Sequence, residues 1–199
     1  MNDNQKAKIE VRQQRFLFLD TEFTGNCPKD GHLVQVAWVL TDLEGNLLRN
    51  ANHMVRPDGY EISAKSTAIH HIDTAQAAVY GSPLKMVMED LRHAWLSSCC
   101  IVGFSLNKDL MFLKMAWKAQ LGGRIPFWPT IDVADYEKQV RGQHHLEEEK
   151  TLSLAKMYQL LFDEPLAGAH NAMSDAQATC RCFWELVQRG IASLDDKKR

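Results

Sequence analysis

The chain has 199 residues, 45% of them hydrophobic and 24% charged, which is enough for one well-buried core and reads as a single domain. Its net charge of -2 and pI near 6.4 leave no basic footprint, so any binding of nucleic acid has to be local or carried by metal. The five cysteines are odd in number and lack a C-x-x-C pair, which argues against a disulfide framework or a structural zinc site and for a cytoplasmic setting.

Residues 1–15 are polar, without the apolar centre of a signal peptide, and read as a flexible lead-in. No apolar run approaches the length of a membrane helix. The stretch Phe16 to Gly25 then joins four apolar residues, as in a strand buried on both faces, to Asp20 and Glu22. Period-two geometry puts those acids on one side of the strand. Two carboxylates pointing together repel, and a hard cation such as Mg²⁺ or Mn²⁺ is the natural remedy in an all-oxygen site.

A turn-rich loop, Asn26 to Gly31, leads to a second strand over His32 to Leu40. Asp42 and Gly45 make hairpin chemistry, and Leu47 to Val55 returns as a third strand that Pro57-Asp58-Gly59 stops. Ser63 to Ile72 reads as a short helix ending in His70 and His71, with Asp73-Thr74 as a boundary. Ser82-Pro83 reads as cap and first-turn proline of a helix whose Leu84, Val87, Met88, Leu91 and Trp95 form a core stripe.

Cys99 to Phe104 is a compact strand, and Leu106 to Leu121 a second amphipathic helix ended by Gly122-Gly123. Thr130 to Val140 passes from strand to helix, and Arg141 to Lys150 is an exposed loop. His144 and His145 beside three glutamates there read as a solvated charged face rather than a second metal site. Thr151 is placed as the cap of the next helix, and a last helix covers about Asn171 to Arg189. Trp95, Trp117 and Trp184 fall on core stripes. The expected architecture is α/β, a mixed sheet of about five strands with helices on both faces, spanning 16–192 and followed by a loose charged tail, 193–199.

Two further acids stand where packing alone gives little reason for a charge. Asp109 lies in the first turn of its helix beside Leu110 and Phe112, and Asp175 lies among small apolar residues five positions after His170. Singly, each has a plain explanation as a cap, a dipole partner or a loop histidine. Their joint placement is harder to dismiss. Asp20-Thr21-Glu22, Asp109 and His170-x-x-x-x-Asp175, in that order, resemble the DEDDh branch of the 3′ to 5′ exonucleases, over roughly Phe16 to Val187.

The resemblance implies a ribonuclease H-like fold and two divalent ions, Mg²⁺ or Mn²⁺, about 4 Å apart. On it, Asp20 bridges the ions, Glu22 and Asp175 complete the first site, and Asp109 holds the second, partly through water. His170 is implied as the general base. The implied reaction releases 5′-mononucleotides from the 3′ end of single-stranded DNA or RNA. Thr21, Phe23, Thr24 and His70 fall where relatives touch substrate, Phe23 by stacking on a base. The chain departs from the pattern at Phe104-Ser105, where many relatives read His-Asn, at Lys108 in place of Phe, and at His71, where glycine is common. The resemblance also carries a weak expectation of a homodimer, whereas a polymerase partner cannot be read. The alternatives are an exoribonuclease that trims RNA, and a non-catalytic nucleic-acid-binding module of the same fold.

Overall fold

The computed structural model describes residues 15–146, 148 and 150–197; most of the expected lead-in lies outside them. Five strands form one sheet in the order β3-β2-β1-β4-β5: β1 Phe16–Phe23, β2 Leu33–Thr41, β3 Leu47–Met54, β4 Cys100–Gly103 and β5 Thr130–Asp132. β2 runs antiparallel to β1 and β3, whereas β4 and β5 run parallel to β1. Among the described residues seven α-helices flank this mixed sheet: α1 Ala64–His70, α2 Thr74–Tyr80, α3 Leu84–Ser97, α4 Asn107–Leu121, α5 Glu137–Gln143, α6 Leu154–Phe162 and α7 Ala172–Gln188.

β1 is buried on both faces because its alternate residues feed two cores. Phe16 and Phe18 join Val140 of α5, Met157 and Leu161 of α6, and Phe183 of α7. Leu17 and Leu19 join Leu91 and Trp95 of α3, and Leu113 and Trp117 of α4. All nine residues of β2 are buried, while β3 is an exposed edge. Burial of this kind contributes about 25 cal/mol per Å² of apolar surface, so the apolar residues of β1 and β2 contribute strongly to holding the fold.

Several boundaries differ from the sequence expectation. Asp73-Thr74 is the boundary expected, but a further helix follows it: Asp73 and Gln76 form a reciprocal capping box that starts α2. Pro83, not Ser82, is the N-cap of α3, and Ser82 instead bridges Val55. Ser153, not Thr151, caps α6, since its hydroxyl is the one that reaches the Lys156 N–H. The segment expected as a loop from Arg141 is helical to Gln143, and Arg141 is buried with an ion pair to Glu137. The expected loose tail is docked at its start, where Asp196 accepts the Tyr136 hydroxyl at 2.9 Å.

Candidate active site

The β1–β4 ladder ends at Phe18↔Val102, while β1 itself continues to Phe23. Beyond Phe18, the β1 edge that faces β4 therefore has no strand partner, and its N–H groups need other acceptors. Thr21 finds one. Its N–H and its hydroxyl both donate to Asp109 Oδ1, at 2.9 and 2.6 Å. This seats the first turn of α4 against the end of β1 and brings Asp109, buried with 7% exposure, beside the acids of that strand. Thr21 is thus a holder of Asp109, a contact that spacing alone did not reveal.

Asp20 and Glu22 stand on the other face of β1, toward α7. Opposite them in β2 lie Ala37 and Gln35, so the residue facing Asp20 is small. Asp175, one turn into α7, reaches the same place. Asp20, Glu22 and Asp175 each offer an oxygen, and these atoms lie within 4.8 Å of one another. Among the described residues no other group of three or more such side chains is drawn together. Asp109 lies outside that group but close enough for its charge to act on Asp20.

The electrostatics follow from this crowding. Burial, and then the charges of Asp109, Asp175 and Glu22, hold the Asp20 carboxyl well above the ordinary range. Burial and the charges of Asp175 and Asp109 raise Glu22 from 4.5 to about 7. Burial raises Asp109 to about 6 against the lowering effect of the Thr21 bonds. Burial also raises Asp175, opposed by the His170 N–H and ring. Such a cluster costs free energy when ionised and alone, and a divalent cation removes that cost. The donor set, all carboxylate oxygen, fits Mg²⁺ or Mn²⁺.

His170 takes a left-handed backbone, φ 64°, a conformation that costs a non-glycine residue roughly 1 kcal/mol. In it the His170 N–H donates to Asp175 Oδ2 at 3.0 Å, and the residue itself is exposed. Asn171 then caps α7 through the Met173 and Ser174 N–H groups. His170 and Asp175 are therefore one local unit.

The remaining expected residues serve the architecture in ways the sequence did not show. The Thr24 hydroxyl accepts the His32 N–H at 2.9 Å and its own N–H donates to the His32 carbonyl, closing the loop between β1 and β2. Phe23 stacks on Phe112 with ring centroids 4.2 Å apart, so one of its faces is already covered. His70 is buried, and its Nδ1 accepts the Ile72 N–H at 3.2 Å while its Nε2 has no protein partner. Burial lowers its pKa, so the neutral ring carries its proton on that unpartnered nitrogen. His71, which stands where glycine is common, ends α1 at φ 60°.

Asp132, at the end of β5, was not singled out. Its carboxylate accepts the N–H groups of Ser105, Leu106 and Ala134 at 2.7, 3.0 and 3.1 Å. It thereby fixes the bend at Ser105, φ 58°, just before the helix that presents Asp109. An aspartate closing a strand next to a new turn is a visible signal, but two of its three partners lie 27 and 26 positions away.

An exonuclease (RNase_T) family model matches residues 17–183 of the chain. The chain belongs to this exonuclease family. A curated member, the 3′-5′ exonuclease DinG of Bacillus subtilis (strain 168), is 27% identical over 180 residues, 90% of this chain and 18% of that protein. A solved exonuclease I superposes with a TM-score of 0.77 at 20% identity, covering 88% of this chain and 41% of that one. A zinc-bound complex of Escherichia coli exonuclease I with single-stranded DNA gives 0.72 at 20% identity, covering 89% and 41%. Exonuclease I of Methylocaldum szegediense gives 0.68 at 17%, covering 88% and 41%. This exonuclease-family chain thus has the ribonuclease H-like fold expected of it, and it spans less than half the length of these relatives.

Proposed function

We propose that the chain is a two-metal 3′ to 5′ exonuclease that hydrolyses the terminal phosphodiester of single-stranded nucleic acid and releases 5′-mononucleotides. The observation that carries this reading is the convergence of Asp20, Glu22 and Asp175 within 4.8 Å, with His170 bonded to Asp175 and Asp109 held by Thr21, the residue between the two strand acids. Asp20, Glu22 and Asp175 would hold one Mg²⁺ or Mn²⁺, and Asp20 and Asp109 the other. When bound, the ions supply the nucleophile at neutral pH and offset charge on the attacking and leaving oxygens.

The protein's own groups do the rest. His170, exposed at the mouth of the cluster, takes the proton from the attacking water as general base. Its backbone N–H bond to Asp175 and its exposure to solvent support this role. His70, expected against substrate from the resemblance, keeps its unpartnered Nε2–H buried within the protein, so a direct bond to substrate would need the surrounding segment to move. The uncovered face of Phe23 is assigned to the terminal base, with Thr21 and Thr24 shaping the backbone beneath it. The relatives solved with single-stranded DNA support a single-stranded 3′ end as substrate. All five cysteines are free, in keeping with a reducing compartment. Among the described residues no helix is long and apolar enough to cross a membrane.

The test is release of mononucleotides from 3′-extended single-stranded DNA and RNA in Mg²⁺ or Mn²⁺, with Asp20→Ala as control. Turnover of one or both polymers by wild type and its loss in Asp20→Ala is expected. Binding of both polymers without turnover would replace the enzyme by a binding module.

A further inference from the structure

β2 holds one side chain that its surroundings do not call for. Gln35 stands in a run of nine buried residues and is 3% exposed. A buried amide is costly unless its hydrogen bonds are made. The Gln35 Nε2 donates to Asn52 Oδ1 of β3 at 2.8 Å, and its Oε1 accepts the Ala172 N–H at 3.1 Å. That second bond crosses to the first residue of α7.

The first four N–H groups of a helix lack partners within it. In α7, Met173 and Ser174 donate to the Asn171 side chain and Asp175 to the Asn171 carbonyl. Ala172 donates to Gln35, the one partner in this set from outside the helix and its cap. The orientation of the chain of amides is fixed by this end. A backbone N–H can only donate, so Gln35 must present oxygen to it, its nitrogen must face Asn52, and Asn52 must answer with oxygen.

The register gives the bond its meaning. Gln35 lies opposite Glu22 in the β1–β2 ladder, and directly opposed residues share a face of the sheet. The strand paired with the one that carries Glu22 is therefore joined to the helix that carries Asp175 by a directional contact beside the site. Apolar contacts such as those of Ala176 and Phe183 hold α7 against the sheet without the directionality of a hydrogen bond.

We infer that Gln35 is a positioning residue, which sets the N-terminus of α7 over the acidic face and so places Asp175 and His170 relative to Asp20 and Glu22. This rests on the exonuclease reading for its kinetic consequence, but not for its effect on metal binding.

The experiment compares wild type, Gln35→Met, Gln35→Glu and Val140→Ala. The last removes volume from the core under α5 and serves as a control for lost stability alone. Gln35→Met is expected to weaken Mn²⁺ binding, followed by calorimetry, by about 10-fold. It is also expected to lower kcat about 10-fold with KM for a single-stranded oligonucleotide little changed. Gln35→Glu, which keeps an oxygen for the Ala172 N–H, recovers most of kcat, and Val140→Ala leaves the Mn²⁺ midpoint where it is in wild type. If Gln35→Met melts earlier but binds Mn²⁺ and turns over as Val140→Ala does, Gln35 is only structural and the inference is wrong. Absence of turnover in wild type would count against the proposed function instead, and the Mn²⁺ midpoint would still decide the role of Gln35.

Discussion

Glu22→Gln separates the cost of the acidic cluster from its use. In the metal-free protein Glu22 rises from 4.5 to about 7 through burial and the charges of Asp175 and Asp109. The folded state therefore holds a proton there that the unfolded chain has released, and stability falls as pH rises. The loss is absent below about pH 4.5 and complete above about 7, given the two values for this group. At roughly 1.4 kcal/mol per unit the full effect is about 3 kcal/mol, and screening at this half-buried side chain reduces it to about 2. For a chain of this size that is a shift of about 4–8 °C in Tm. The assay is thermal unfolding in EDTA from pH 5 to 8, wild type against Glu22→Gln. The variant should melt near wild type at pH 5 and several degrees above it at pH 8. With saturating Mn²⁺ at pH 8 the order should reverse, since only wild type keeps the full ligand set. A Tm difference that stays flat with pH would refute the argument that repulsion at this cluster destabilises the metal-free fold.

His170→Ala should bind Mn²⁺ like wild type and lose 10²- to 10⁴-fold in kcat; an unchanged rate would remove it as the base. Thr21→Val removes the hydroxyl that lowers the Asp109 pKa, so the acid limb of the rate profile should move to higher pH. Activity at pH 5 should fall about fivefold, the equivalent of roughly 1 kcal/mol for one hydrogen bond, with little change at pH 8.5. Asp132→Ala leaves the Ser105, Leu106 and Ala134 N–H groups without their acceptor. Chemical denaturation should show a loss of about 1–3 kcal/mol, and kcat should fall as Asp109 loses its support.

β1 was legible because its signal is local: Phe16 to Leu19 name a strand buried on both faces, and Asp20 and Glu22 break it with charge. The spacing of His170 and Asp175 was legible for the same reason, since five residues across a helix start fix their relation. What joined these pieces was not. The Thr21–Asp109 contact depends on where the β4 ladder stops, a tertiary fact with no mark near either residue. Gln35 did leave a mark, one polar residue in an apolar strand, but its partners lie 17 and 137 positions away. The cap of α6 failed at a finer scale. Thr151 and Ser153 are both good caps by type, and only the geometry of the Lys156 N–H decides between them.

The left-handed residues point the same way as the hydrogen bonds. His170 and Ser105, both with φ near 60°, stand beside elements that present an acid, and at each a backbone N–H is handed to a carboxylate of the site or its support. Asp109 receives both Thr21 bonds on Oδ1, and Asp175 receives the His170 bond on Oδ2. These bonds leave each acid an oxygen that they do not use. Hydrogen bonds on every oxygen would have lowered the carboxyl pKa values further, but would have met the need for positive charge from within the protein. Burial and crowding instead keep that need open. On the proposed function, a chain with net charge -2 would then meet a polyanion at this site, where cations held by the acids would supply the positive charge.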